Sequence, residues 1–147
     1  MRNKILFLTL HTFSLTGGIE KVNRAIVKAL ADLKKDYQLL SMYDGAVDER
    51  YTTAKTFKGF KGNRIAFALS TFSRSINANV VIVSHINLLI FAWLIKKLKP
   101  RTRIILMAHG IEVWADLAKW LMFLQDEGET YKIEYAGGDK SVAGRKL

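Results

Sequence analysis

Lys4-Ile-Leu-Phe-Leu-Thr-Leu-His-Thr-Phe-Ser-Leu-Thr-Gly-Gly-Ile-Glu-Lys-Val-Asn-Arg-Ala-Ile-Val-Lys-Ala-Leu-Ala-Asp-Leu33 runs from an apolar stretch through a glycine pair into a helical pattern. Lys4 to Leu10 reads as a buried strand, because Thr9 alone interrupts the apolar residues from Ile5 onward. A strand apolar on both sides belongs to a sheet covered by helices on two faces. From Ile19 the apolar residues Val22, Ile26, Ala29, Leu30 and Leu33 recur at helical spacing. Between strand and helix lie Gly17 and Gly18. The first N–H groups of a helix are unpaired and its dipole is positive there, so such a loop suits a phosphate. Adjacent glycines permit close approach of a ligand to the backbone, and they equally serve a turn that needs positive φ.

Outward from this unit the alternation repeats. Tyr37 to Tyr43 is a second strand, Asp44 to Gly62 a polar loop holding one short strand near Thr52 to Phe57, and Asn63 the start of a second helix. That helix is expected to carry Ile65, Phe67, Ala68, Leu69 and Phe72 toward the core. Val80 to Ser84 is a strand, Leu88 to Leu98 a helix closed by Pro100, and Arg103 to Ala108 a further buried strand. Strands alternating with helices give an α/β class with an open parallel sheet covered on both faces.

With 147 residues, half of them hydrophobic, the chain has the material for one sizeable core. No cysteine is present, which removes disulfides, thiolate nucleophiles and zinc knuckles and fits a reducing compartment. The N-terminal apolar run is too short for a secretory signal. Val80 to Ile95 falls short of the roughly 20 residues a membrane helix needs, and Ser84, His85 and Asn87 interrupt it. A cytoplasmic protein, peripheral at most to the inner membrane face, is therefore expected. The net charge is +10, and residues 1–114 carry 18 Lys and Arg against 7 Asp and Glu. A basic domain attracts anionic partners: nucleic acid, anionic lipid or phosphorylated small molecules.

His11, His85 and His109 each lie at the carboxyl end of an expected strand. Open parallel sheets bind ligands beyond those ends, where strand order reverses. A strand order of 3-2-1-4-5 makes the three histidine-bearing ends neighbours. Thr16-Gly-Gly-Ile-Glu-Lys21 lacks both the Gly-Lys-Ser/Thr of a Walker loop and the third glycine of the dinucleotide fingerprint. Glu20, in the first helical turn, either serves the helix dipole or meets an acceptor. Lys21 shares that turn, and Asn23 and Arg24 line a cleft or face water. Glu112, after His109-Gly110, either orients a hydroxyl or is an exposed loop carboxylate. Lys55 to Arg64 interleaves cations with Phe57 and Phe60, as a solvated loop with two anchoring aromatics does, or a lipid- or nucleic-acid-binding loop.

Taken together, Leu8-Thr-Leu-His-Thr-Phe-Ser-Leu-Thr-Gly-Gly-Ile-Glu-Lys-Val-Asn-Arg24 and Ile105-Leu-Met-Ala-His-Gly-Ile-Glu-Val-Trp114 resemble the N-terminal half of the family 4 glycosyltransferases. Those are two-domain, GT-B type, retaining enzymes with Rossmann-like halves that use nucleotide-activated sugars. The resemblance covers roughly residues 1–114. It implies that Gly17 and Gly18 approach the donor phosphates and that His109 faces the transferred sugar as the catalytic residue. His11, Glu20, Lys21, His85 and Glu112 become candidate acceptor or cleft residues.

The implied substrates are a nucleotide-sugar donor and a saccharide or lipid-linked acceptor, with no covalently bound cofactor and no metal. Family enzymes carry a second, donor-binding domain for which these 147 residues leave no room. Residues 115–147 read instead as an atypical helix, Ala115 to Gln125, a strand from Thr130 to Tyr135 and a polar tail. Catalysis is thus expected to need a donor domain, either lost from a truncated or frame-shifted product or supplied by a separate subunit. A non-catalytic module binding anionic lipid or a phosphorylated glycan is the alternative, and nucleic acid is not an expected partner.

Overall fold

The computed structural model describes residues 4–107. Strands β1 (Ile5–Thr9), β2 (Tyr37–Ser41), β3 (Phe57–Gly59), β4 (Val80–Val83) and β5 (Arg103–Leu106) alternate with helices α1 (Gly18–Asp32), α2 (Arg64–Ser75) and α3 (Leu89–Leu98). The strands form one parallel sheet in the order β3-β2-β1-β4-β5, so β1 is central. This is the α/β, Rossmann-like architecture that the sequence implies, and the strand order is the one that makes the strand ends at His11 and His85 neighbours. The order reverses at β1, between β2 and β4.

Side-chain alternation along the strands divides the core in two. Leu6 and Leu8 of β1, Leu40 of β2, Val81 and Val83 of β4 and Leu106 of β5 face Phe67 of α2 and Leu89, Ala92 and Ile95 of α3. Phe7 and Leu39 point the other way and meet Val27 of α1, joined by Phe13, Ile26, Leu30 and Phe57. Each such fully buried side chain is worth about 1.5–3 kcal/mol relative to exposure. The two-faced apolar character of β1 follows from its central place between the layers.

Local chemistry sets the helix ends. The Asn63 side chain accepts from the Ala66 amide at 3.0 Å and caps α2. At the end of α3, Lys96 donates to the Thr102 carbonyl at 3.0 Å, and Lys96 and Lys97 lie in the last turn. After α1, Lys34 takes a left-handed conformation, φ 49°, while the Lys35 amide returns to the Leu30 carbonyl.

Several sequence expectations need correction. The short third strand is Phe57–Gly59 rather than Thr52 to Phe57. Thr52 instead hydrogen-bonds the Tyr37 hydroxyl at 2.6 Å and Thr56 at 2.7 Å, and the Thr56 and Phe57 amides close a turn onto the Thr53 carbonyl. Ile65 and Leu69 point to solvent, 75 % and 67 % exposed. Each lies two residues from Phe67, about 200° around the helix, and cannot share its inward face. Phe67, Thr71 and Ser75 make that buried row. Leu33 is also exposed, because it caps α1 from beyond the last helical residue. The Trp114 boundary, the 115–125 helix and the 130–135 strand lie outside the described residues.

Candidate functional site

The loop from Leu10 to Gly17 leaves the central strand at the sheet's carboxyl edge, and four contacts hold it. Asp44, buried just beyond β2, accepts from the amides of Thr12 at 2.6 Å, Phe13 at 3.1 Å and Ser14 at 2.9 Å, and from the Ser41 hydroxyl at 2.7 Å. Burial pushes the Asp44 carboxyl up, but hydrogen bonds from Ser14, Ser41 and Thr12 outweigh it and hold the pKa below the ordinary 3.8. Asn23, fully buried on α1, donates to the His11 carbonyl at 2.9 Å. Arg24 donates through one nitrogen to the carbonyls of Thr12 at 2.8 Å and Leu15 at 2.9 Å. Phe13 anchors the loop tip against Phe57, ring centroids 5.3 Å apart, and against Tyr51.

Asn23 and Arg24 are therefore neither cleft walls nor solvated side chains: they tie α1 to the loop. Asp44 falls where dinucleotide-binding sheets place a carboxylate for a ribose. Here loop amides and a serine occupy its oxygens, which assigns it to loop positioning.

Gly17 and Gly18 open α1. Gly17 is the N-cap, with φ −70° and no capping side chain, and neither glycine has a positive φ. The turn explanation for the pair is thereby removed. A Cβ at Gly17 would run into the Glu20 carboxylate, which leans back over the start of the helix. Glu20 thus occupies the positive end of the dipole, in keeping with a helix-start role. A Cβ at Gly18 would meet nothing within 4 Å. Gly17, Gly18 and Lys21 are all exposed.

His11 shares a 2.9 Å hydrogen bond between Nδ1 and the Ser14 hydroxyl, and its ring stacks on Tyr43 at 4.9 Å between centroids. The Tyr43 hydroxyl accepts from Arg64 at 3.3 Å. His85 lies at the end of the neighbouring β4, where its Nδ1 accepts from the Asn87 amide at 3.1 Å and caps the 3-10 turn Ile86–Leu88. That bond places the ring's lone pair on Nδ1 in the neutral form. At the same edge two buried polar atoms, Asn23 Oδ1 and Ser84 Oγ, lack a partner among the described residues.

The structure thus gathers His11, Gly17, Gly18, Glu20 and Lys21 on one loop and helix start, with His85 on the adjacent strand end. His109 and Glu112 lie outside the described residues. Among the described residues no group of three His, Cys, Asp or Glu could hold a metal ion. Sequence reasoning missed Asp44 as the loop's clamp. The available signal was its place directly after β2, within reach of the loop that leaves the adjacent β1. Compared with protein-family models, with curated proteins and with solved structures, the chain matches none.

Proposed function

We propose that this chain forms the acceptor-side wall of a nucleotide-sugar-dependent, GT-B type glycosyltransferase of family 4, with a donor-binding domain supplying the opposite wall. The observation that carries this is Gly18: exposed at a helix start, free of positive φ, with open space where a side chain would stand. Nothing in the described fold requires glycine there, and the missing side chain leaves the backbone at the helix start open to a ligand. In this reading the Glu20 carboxylate, which leans over the start of α1, swings aside, and the unpaired amides there hold diphosphate oxygens of the donor and stabilise the charge that develops as the diphosphate departs. Asp44, Asn23 and Arg24 keep the loop in place so that those amides are preorganised. The resemblance gives His109 the hydrogen bond to the transferred sugar, and His11, Glu20, Lys21, His85 and Glu112 are the candidates for the acceptor or cleft.

Combining the chain with a family 4 donor domain tests this directly. The pair is expected to transfer sugar from a nucleotide donor, and Gly18→Val or His109→Ala to lower that rate by about tenfold to a thousandfold. Gly18→Val enters open space, so its fold should remain intact by circular dichroism. Wild-type transfer rates in both variants would remove the site assignment.

A second reading, a peripheral lipid-binding module, is favoured by the outer face of α2. Ile65, Leu69 and Ile76 are 75 %, 67 % and 71 % exposed on one side of the segment, and Lys61 and Arg64 precede them. Such an apolar stripe with basic neighbours suits an anionic bilayer surface. Phe57 and Phe60 do not contribute, because both pack into the core. No helix among the described residues is long and apolar enough to cross a membrane. Sedimentation with phosphatidylglycerol vesicles that survives Ile65→Glu with Leu69→Glu would dismiss this second reading.

A further inference from the structure

At the opposite edge of the sheet, where the strands begin, the layer between sheet and α2 is not filled by apolar side chains. A cavity of about 460 Å³ lies between the first rows of β1, β2 and β3 and the C-terminal half of α2. Its sheet wall carries Lys4, Gln38 and Lys58, all on the face that elsewhere holds Leu6, Leu8 and Leu40. Its helix wall carries Ser70, Ser73, Arg74 and Asn77. The space is an open cleft: Lys58, Ser73 and Asn77 are exposed, and Lys4, Gln38, Ser70 and Arg74 are half-buried. No carboxylate lines this space.

The donors here are largely uncommitted. Arg74 gives one nitrogen to Gln38 Oε1 at 2.7 Å, which fixes its guanidinium against the sheet without neutralising it. The ion pairs of the described residues, Lys28 with Asp32 and Arg50 with Asp48, involve none of these three cations. Lys58 rests over the Phe60 ring at 5.4 Å, an orientation that leaves its ammonium accessible. Just past the end of α2, Lys99 donates to the carbonyls of the C-cap Ile76 at 3.0 Å and of Ala78 at 2.6 Å, which places a further cation beside the negative end of the helix dipole. Three cations, two hydroxyls and an amide converge on a space large enough for a small polar molecule.

We propose that this cavity binds a phosphate monoester, with Arg74, Lys4 and Lys58 holding the phosphate oxygens and Ser70, Ser73 and Asn77 hydrogen-bonding the phosphate or the hydroxyls beside it. A guanidinium already held on one side is preorganised for charge-assisted bonds to such an oxyanion. The site is separate from the glycine loop by the length of a five-residue strand, ~16 Å, and stands whether or not the chain transfers sugar. The same chemistry occurs in a soluble phosphate ester and in a lipid phosphate headgroup.

The test is a nitrogen-15 NMR titration of the whole chain with inorganic phosphate, glycerol 3-phosphate and soluble short-chain phosphatidic acid, using chloride at equal ionic strength as reference. Saturable shifts at the amides of Ser70, Ser73, Arg74 and Asn77 are expected, together with a shift of the Arg74 side-chain N–H. Lys58→Gln removes a side chain that makes no hydrogen bond within the described residues, so its fold should be unaffected while affinity falls about tenfold. Arg74→Gln should abolish binding. Tighter binding of phosphatidic acid than of glycerol 3-phosphate assigns a lipid headgroup, and the reverse order assigns a soluble ester. Shifts confined to residues 12–20, shifts reproduced by chloride, or full affinity in Lys58→Gln would each overturn the proposal.

Discussion

Asp44 shows how a single carboxylate fixes the geometry of the carboxyl edge. It replaces water for three consecutive loop amides and one hydroxyl, and charge-assisted bonds of this kind are individually stronger than neutral ones. Asp44→Asn turns one acceptor oxygen into a donor facing other donors, and it is expected to destabilise the fold by about 2–3 kcal/mol in chemical denaturation. The pH dependence follows from the direction of its shift. The folded pKa lies below 3.8, so the contribution is complete above that value and is lost as pH falls through the folded pKa. The gap between the unfolding midpoints of wild type and Asp44→Asn should therefore begin to narrow only below pH 3.8 and close as pH falls through the lower folded pKa. A gap that persists on further acidification would contradict this role. In the sequence only the place of Asp44 directly after β2 hinted at this, because the clamp joins positions thirty or more residues apart and depends on β1 and β2 being neighbours. The glycine pair was legible as a loop before a helix, whereas its ordinary φ values and the open space at Gly18 are properties of the folded chain alone.

At the scale of elements, the helices separate periodicity from burial. α2 has apolar residues on two sides, and the sequence pattern alone does not say which side meets the sheet. Phe67 wins because its ring fits edge-on between Phe60 and Phe91, with centroids 5.4 Å from each. Phe67→Ala is accordingly expected to cost about 3–5 kcal/mol, whereas Leu69→Ser, at an exposed position, should stay within about 0.5 kcal/mol of wild type. Equal losses in thermal denaturation would show that Leu69 is covered by something in solution. The buried strands β1 and β4 were more legible than helix faces, since a run apolar on both sides leaves no face to choose, whereas the half-exposed β3 was misplaced toward Thr52. The end of α1 makes a further point. Lys34 occupies the left-handed position that glycine normally takes after a helix, so Lys34→Gly is expected to be neutral or to stabilise by up to about 1 kcal/mol.

For the whole molecule, the strand order decides where stability is concentrated. β1 is hydrogen-bonded on both sides, to β2 over five residue pairs and to β4 over four, and its side chains enter both core layers. β3 has three residues, one neighbour and no fully buried side chain. The parallel sheet was legible from strands alternating with helices, and right-handed crossovers leave few orders for it to take. The unequal strength of the strands was not, since β3 lies inside a loop-like, glycine-dotted stretch. Amide exchange reports the free energy of the opening that exposes each group. Leu6, Phe7 and Leu8 should therefore exchange only through global unfolding, while the amides of Leu39, bonded to Thr56, and Phe60, bonded to Ser41, should exchange through local detachment of β3. Raising denaturant should accelerate exchange in β1 steeply and in the β3 ladder hardly at all, because detaching three edge residues exposes little surface. If both groups instead share one denaturant slope, β3 belongs to the cooperative core and the Asp44 clamp, whose backbone carbonyl holds Lys61 just beyond β3, extends its rigidity to that edge.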